Sequence, residues 1–122
     1  MLPSPRARVG RSAEIAAAAE LGKRGYRIVA SNYRGPSGEI DLVAREGDSL
    51  VFIEVRCKRT KEYGTPAESI TAAKRQKLII TAEHYLAENG LAETACRFDV
   101  VEVVSEGGKL VVKEVLIDAF TA

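Results

Sequence analysis

Asp41, Glu54 and Arg56 are the residues whose types and spacing first invite chemistry. They lie in two runs, Gly38-Glu-Ile-Asp-Leu-Val-Ala-Arg45 and Leu50-Val-Phe-Ile-Glu-Val-Arg56, on either side of the polar Glu46-Gly47-Asp48-Ser49. Strand-forming runs flanking a turn glycine predict a β-hairpin. If those four residues form the loop, Arg45 pairs with Leu50, Val43 with Phe52 and Asp41 with Glu54. Opposed residues of an antiparallel pair share a face, their Cβ atoms about 5 Å apart. Two carboxylates so placed repel unless a cation lies between them or one keeps a proton. Arg56, two residues beyond Glu54, falls on the same face. An Asp, a Glu and a cation on one sheet face can hold a divalent metal and a phosphate. The same three residues could also form a structural ion-pair network.

The flanking sequence predicts the elements that position them. Ser12 is an N-cap for a helix to about Lys23, with Gly25 as its stop. Ile15, Ala18 and Leu21 form its apolar stripe; Glu14 borders that stripe, whereas Glu20 falls on the opposite side. Tyr26–Ser31 reads as a strand and Asn32–Ser37, with Tyr33 and Arg34, as a loop. After the hairpin and a polar loop over Thr60–Pro66, Thr71 or a near neighbour caps a helix to about Glu88, ended by Asn89-Gly90. Leu78, Ile79, Ala82, Tyr85 and Leu86 are its core stripe. Lys74 stands on the stripe's edge, where its long side chain can reach across the sheet face; Lys77 and His84 point more outward. Arg97–Val104 and Lys109–Ile117 are two last strands joined at Gly107-Gly108. The order is α-β-β-β-α-β-β, an α/β domain. Asp99, inside an apolar strand, is expected to make a fixed hydrogen bond or to pair near Arg97. Cys57 is expected to be a small core residue on the face opposite Glu54, and Glu39 to have a supporting role.

A chain of 122 residues holds one domain with a real core. Its apolar fraction of 46% and charged fraction of 29% are those of a globular protein. No apolar run approaches the ~20 residues that cross a bilayer, and Met1–Arg8 has no apolar segment after its charges, so no secretory signal is expected. Residues 1–10 read as a basic flexible tail and 11–122 as the domain. Cys57 and Cys96 read as reduced thiols of a cytoplasmic protein, and a lone His84 without a CxxC argues against zinc. The net charge of +1 hides a division. Residues 1–38 and 56–77 each carry seven Lys/Arg against two Glu, while 39–55 sum to −4 and 78–122 to −5. Two basic blocks thus bracket the acidic hairpin, a pattern suited to a polyanion whose metal the carboxylates hold.

An acidic residue on the first helix, Gly-Glu-Ile-Asp, Phe-Ile-Glu-Val-Arg, a Lys-bearing helix and Arg-Phe-Asp-Val-Val together resemble the YraN family. These small bacterial proteins are predicted nucleases, distantly related to archaeal Holliday-junction resolvases, and the resemblance spans roughly Gly10 to Val104. It implies the restriction-endonuclease-like core, a mixed central sheet flanked by helices. On this sequence the PD-(D/E)xK pattern of that superfamily gives Asp41 as the first carboxylate, Glu54 as the second and Arg56 in the Lys position. Glu14 matches the helical acid that completes the site in resolvase-like members. No proline directly precedes Asp41, and Arg56 stands where an amine is usual; Lys58 and Lys74 are the candidates to supply the amine instead. The resemblance implies Mg²⁺- or Mn²⁺-dependent phosphodiester hydrolysis, with Asp41, Glu54, the Val55 carbonyl and Glu14 as metal ligands. Branched or single-stranded DNA is the expected partner, with no membrane and a homodimer by analogy. Lys58, Arg59, Lys61, Lys74, Arg75 and Lys77 are the expected nucleic-acid contacts. The alternative is a nucleic-acid-binding module of the same fold with weak or no turnover.

Overall fold

The computed structural model describes residues 5–57 and 70–120, with side chains from Gly10 onward. The elements are α1 (Pro5–Lys23), β1 (Arg27–Gly35), β2 (Gly38–Glu46), β3 (Ser49–Cys57), α2 (Ala72–Glu88), β4 (Cys96–Glu106) and β5 (Lys109–Phe120). The five strands form one sheet in the order β1-β2-β3-β4-β5. Only β3 and β4 are parallel. A parallel neighbour needs a long crossover, and the segment containing α2 provides it. The result is a mixed α/β sheet in the predicted order.

β3 is the centre of the molecule. Its Leu-Val-Phe-Ile-Glu run is buried on both sides, which is why it reads as a continuous apolar run. Val51 and Ile53 pack with Leu42, Val101 and Val103 under α1. Leu50 and Phe52 pack with Val43, Phe98 and Val100 under α2. Phe52, Tyr85, Phe98 and Phe120 contact one another as rings, with centroids 4.8 to 5.8 Å apart. Both helices end in the Schellman arrangement: Tyr26 N donates to Leu21 O at 3.0 Å beyond Gly25, and Leu91 N to Leu86 O at 2.8 Å beyond Gly90.

Several expectations need correction. α1 begins at Pro5 rather than after Ser12; a proline is well suited to a first helical turn, where its missing N–H has no partner to lose. The buried stripe of α1 is Ala13, Ala17 and Leu21, while Ile15 is 70% exposed. Small alanines let the helix lie close to the sheet. β1 continues through Asn32 to Gly35, so Tyr33 and Arg34 belong to a strand. Tyr33 packs edge-on against Tyr85 with centroids 5.1 Å apart. Cys57 is exposed and free rather than a core residue. Among the described residues no helix is long and apolar enough to cross a membrane.

Candidate active site

The β2–β3 register has Arg45 opposite Leu50, Val43 opposite Phe52 and Leu42 opposite Ile53. The tight turn is Gly47-Asp48, with Glu46 opposite Ser49. The ladder stops one pair short of Asp41 and Glu54. There the Asp41 side chain takes over the role of the backbone, its Oδ2 accepting a hydrogen bond from Val55 N at 2.8 Å. This bond holds the carboxylate in the gap between two strands, at the carboxyl end of β3. Glu54 continues the face of Leu50 and Phe52 and is only 7% exposed.

Neither acid is comfortable as an anion. Burial is the largest influence raising Glu54, and the Asp41 charge the next; Lys74 and Arg56 pull the other way, leaving it at about 7. Burial likewise raises Asp41, against the Val55 hydrogen bond and the Lys74 and Arg56 charges. Lys74 reaches in from the first turn of α2, its Nζ 3.5 Å from Glu54 Oε1. The Thr71 hydroxyl caps that turn by accepting from Lys74 N at 3.1 Å, so the cap that starts the helix also fixes the origin of this side chain.

A second tier of acids stands on the α1 side. Glu14 is raised to about 6, by burial first and then by the charges of Asp41 and Glu39, with Arg11 opposing. Asn32, at φ +52°, lies between these acids. With its nitrogen toward them it donates to both Glu14 oxygens at 2.7 and 3.1 Å and to Glu39 Oε1 at 3.0 Å. Surroundings made only of acceptors select that orientation. Glu39 also meets Arg34, 3.5 Å away. Glu20 lies apart in an exposed pair with Arg24. Asn32 is the site residue that sequence reasoning missed. Its one visible signal was that asparagine tolerates a left-handed backbone.

The expected cations are distributed unevenly. Lys74 joins the acids, and the Arg56 charge acts on both of them. Arg75 instead turns to the Ile70 carbonyl at 3.2 Å and lies over the Phe120 ring. Lys77 is exposed on the same helix. Lys58, Arg59 and Lys61 lie outside the described residues, as does Tyr63.

Among the described residues no three His, Cys, Asp or Glu side chains converge as one chelating group. The centre is therefore a pair, Asp41 and Glu54, with Glu14 alongside. A pair of hard oxygen donors suits Mg²⁺, which keeps several waters and commonly takes one or two carboxylates plus substrate phosphate. Mutual repulsion between the buried Glu54 and half-buried Asp41 carboxylates is what a divalent cation relieves.

A pH dependence follows. The native state keeps a proton on Glu54 that the unfolded chain releases near 4.5, and holds it to about 7. Between those values folding takes up protons, so metal-free stability should fall as pH rises through that window. The loss attributable to Glu54 is on the order of 2–3 kcal/mol. Urea unfolding in chelator at pH 4.5 and pH 8 checks this, and Glu54→Gln should flatten the profile.

Fold and site together define a mixed-sheet α/β domain in which a buried Glu54 on the central strand is paired with a half-buried Asp41 from its neighbour. The family model described as "Uncharacterised protein family UPF0102" matches residues 13–103. The chain belongs to that family, the YraN family. It is 54% identical over 96 residues to UPF0102 protein STH1475 of Symbiobacterium thermophilum, covering 79% of this chain and 81% of that one. To a UPF0102 protein of Chloroflexus aurantiacus it is 47% identical over 111 residues, 90% of each. Among solved structures, Pyrococcus furiosus SfsA in complex with Ca²⁺ aligns with TM-score 0.44 and 14% identity, over 90% of this chain and 64% of that one.

Proposed function

We propose that this protein is a metal-dependent nuclease that hydrolyses phosphodiester bonds, structure-selectively or nonspecifically, with DNA favoured over RNA. The observation that carries this reading is the pairing of buried Glu54 with half-buried Asp41, flanked by Lys74 and Arg56. Asp41 and Glu54 would hold Mg²⁺ or Mn²⁺, with the Val55 carbonyl as a further oxygen donor. Such an ion lowers the pKa of a bound water and polarises the phosphate it touches. The Val55 N–H orients the Asp41 carboxylate. Glu54 must be deprotonated to act as a ligand, so at subsaturating metal activity should rise through about pH 7. Arg56 stays charged and cannot take a proton, so its part is to offset charge developing on the phosphoryl oxygens. Among the described residues Lys74, in ion-pair reach of Glu54, offers an amine to the centre. Glu14, held by Asn32, adds negative charge beside the pair.

Lys74→Met should slow cleavage by about ten- to a hundredfold, less than a lone electrostatic donor commands, because Arg56 remains. Lys74→Arg should recover part of the loss; single-turnover rates at saturating protein check both.

Arginine at position 56 supports a second reading, a nucleic-acid-binding module without turnover. Titrating Mg²⁺ and Mn²⁺ against branched, flapped and single-stranded DNA separates the two, with Asp41→Ala as control. The nuclease reading fails if pure wild type binds DNA yet cuts nothing with either metal, and Arg56→Lys is equally inert.

A further inference from the structure

Beside the acid cluster, α1 and β1 enclose an open cleft of 310 Å³. That is at the small end of the roughly 300–1,000 Å³ typical of ligand clefts, room for one flat heterocycle but not for a duplex. Its apolar lining comes from Ile15 and Ala18 on α1, and Ile28 and Leu42 on the sheet. Ile15 is 70% exposed, on the helix face turned away from the buried stripe of Ala13, Ala17 and Leu21, and lines the cleft from its outer side. Lone exposed apolar residues are ordinary; this one walls a cleft. The polar lining includes Arg11, Glu14 and Asn32. Glu14 and Asn32 belong to both places: they line the cleft and they form the hydrogen-bonded acid group next to Asp41. The cleft is therefore continuous with the catalytic candidate.

We propose that this cleft seats one unpaired nucleobase of the strand whose phosphate reaches the Asp41–Glu54 pair. This rests on the nuclease reading and narrows its substrate to strands with an unpaired residue beside the cut. Apolar side chains on two sides receive the faces of a base that has left its stack. Asn32 and Glu14 offer polar groups to its edge, and Arg11 supplies a positive charge for a neighbouring phosphate. A base inside a duplex has both faces covered by its neighbours and cannot enter. Single strands, flaps and branch points present a free base without the cost of extruding one.

The test uses the full chain in chelator, so that nothing is cut. Affinities are measured for a labelled single strand and a blunt duplex of equal length, the single strand also carrying 2-aminopurine. Ile15→Ser shortens an exposed wall and Ala18→Phe fills the cleft; neither changes the charge. Each variant should lose about tenfold in single-strand affinity, with duplex affinity held within about twofold. The 2-aminopurine emission change seen with wild type should disappear in both. Ile15→Ser alone suffices if Ala18→Phe does not fold. Unchanged single-strand binding by Ile15→Ser, or equal losses on both substrates, overturns the proposal. So does a shift in the free protein's sedimentation with nucleic-acid binding intact, which would make the cleft a contact between copies of the chain. The outcome stands whether or not wild type cleaves; a wild type that binds neither substrate would overturn this proposal and the nuclease reading together.

Discussion

Asp41→Asn is expected to cut Mg²⁺-dependent cleavage by about 10²–10⁴-fold, the rate equivalent of several kcal/mol of lost metal-centred stabilisation. The amide keeps the shape and can still offer an oxygen to Val55 N, the bond now 2.8 Å long. What it removes is one of the two negative charges. DNA binding in chelator should persist or tighten, because one charge facing the phosphates is gone. The change also frees Glu54 from the charge that, after burial, most raises its pKa. Its titration should therefore move down, visible by NMR in the Glu54 carboxyl resonance. Loss of cleavage together with loss of binding would instead mean a collapsed fold.

The second large effect concerns stability. Asp99 is 1% exposed and ties β4 to β5 and to the turn between α1 and β1. Its Oδ2 accepts from the Tyr26 hydroxyl at 2.7 Å, and its Oδ1 accepts from Arg97 Nε at 3.0 Å and from Asp118 N at 2.9 Å. Asp118, at φ +55°, lies where the β4–β5 register shifts. The carboxylate thus satisfies a backbone donor that the ladder leaves over. Arg97 continues outward to Glu46 at 3.1 Å. Asp99→Ala would take the acceptor from the buried Tyr26 phenol and the Asp118 N–H and one of the two carboxylates from the Arg97 guanidinium, and should cost about 3–5 kcal/mol. The urea midpoint should fall with little change in slope. Tyr26→Phe removes a single partner and should cost only about 1 kcal/mol.

The hairpin was legible because two strand-forming runs flank a short glycine turn, which leaves little freedom in register. One turn fixed the pairing from Arg45 back to Leu42, and with it the proximity of Asp41 to Glu54. The fixed hydrogen bonds of Asp99 were legible too, since a carboxylate in an apolar strand requires a donor. The α1 stripe was not. The run Ala16–Ala19 gives no contrast between faces, so the larger Ile15 drew the stripe to the wrong side, although Glu14 still borders the true one. The bulges of β1 and β5 depend on pairing across strands rather than on local composition. Hence the extension of β1 through Asn32 and of β5 to Phe120 went unread. Cys57 looked apolar by type, but at the end of β3 it is exposed among the described residues. Lys74 was placed on the correct edge of α2; its choice of Glu54 as partner is a tertiary fact.

The central claim is that Asp41 and Glu54 hold one divalent cation. Mn²⁺ titration of the protein bound to a single-stranded oligonucleotide, followed by electron paramagnetic resonance, tests it most directly. One ion per chain is expected, with binding that strengthens as pH rises through about 7 as Glu54 gives up its proton, and with that ion lost in Asp41→Asn. No bound ion in wild type, or the same binding in Asp41→Asn, would contradict it.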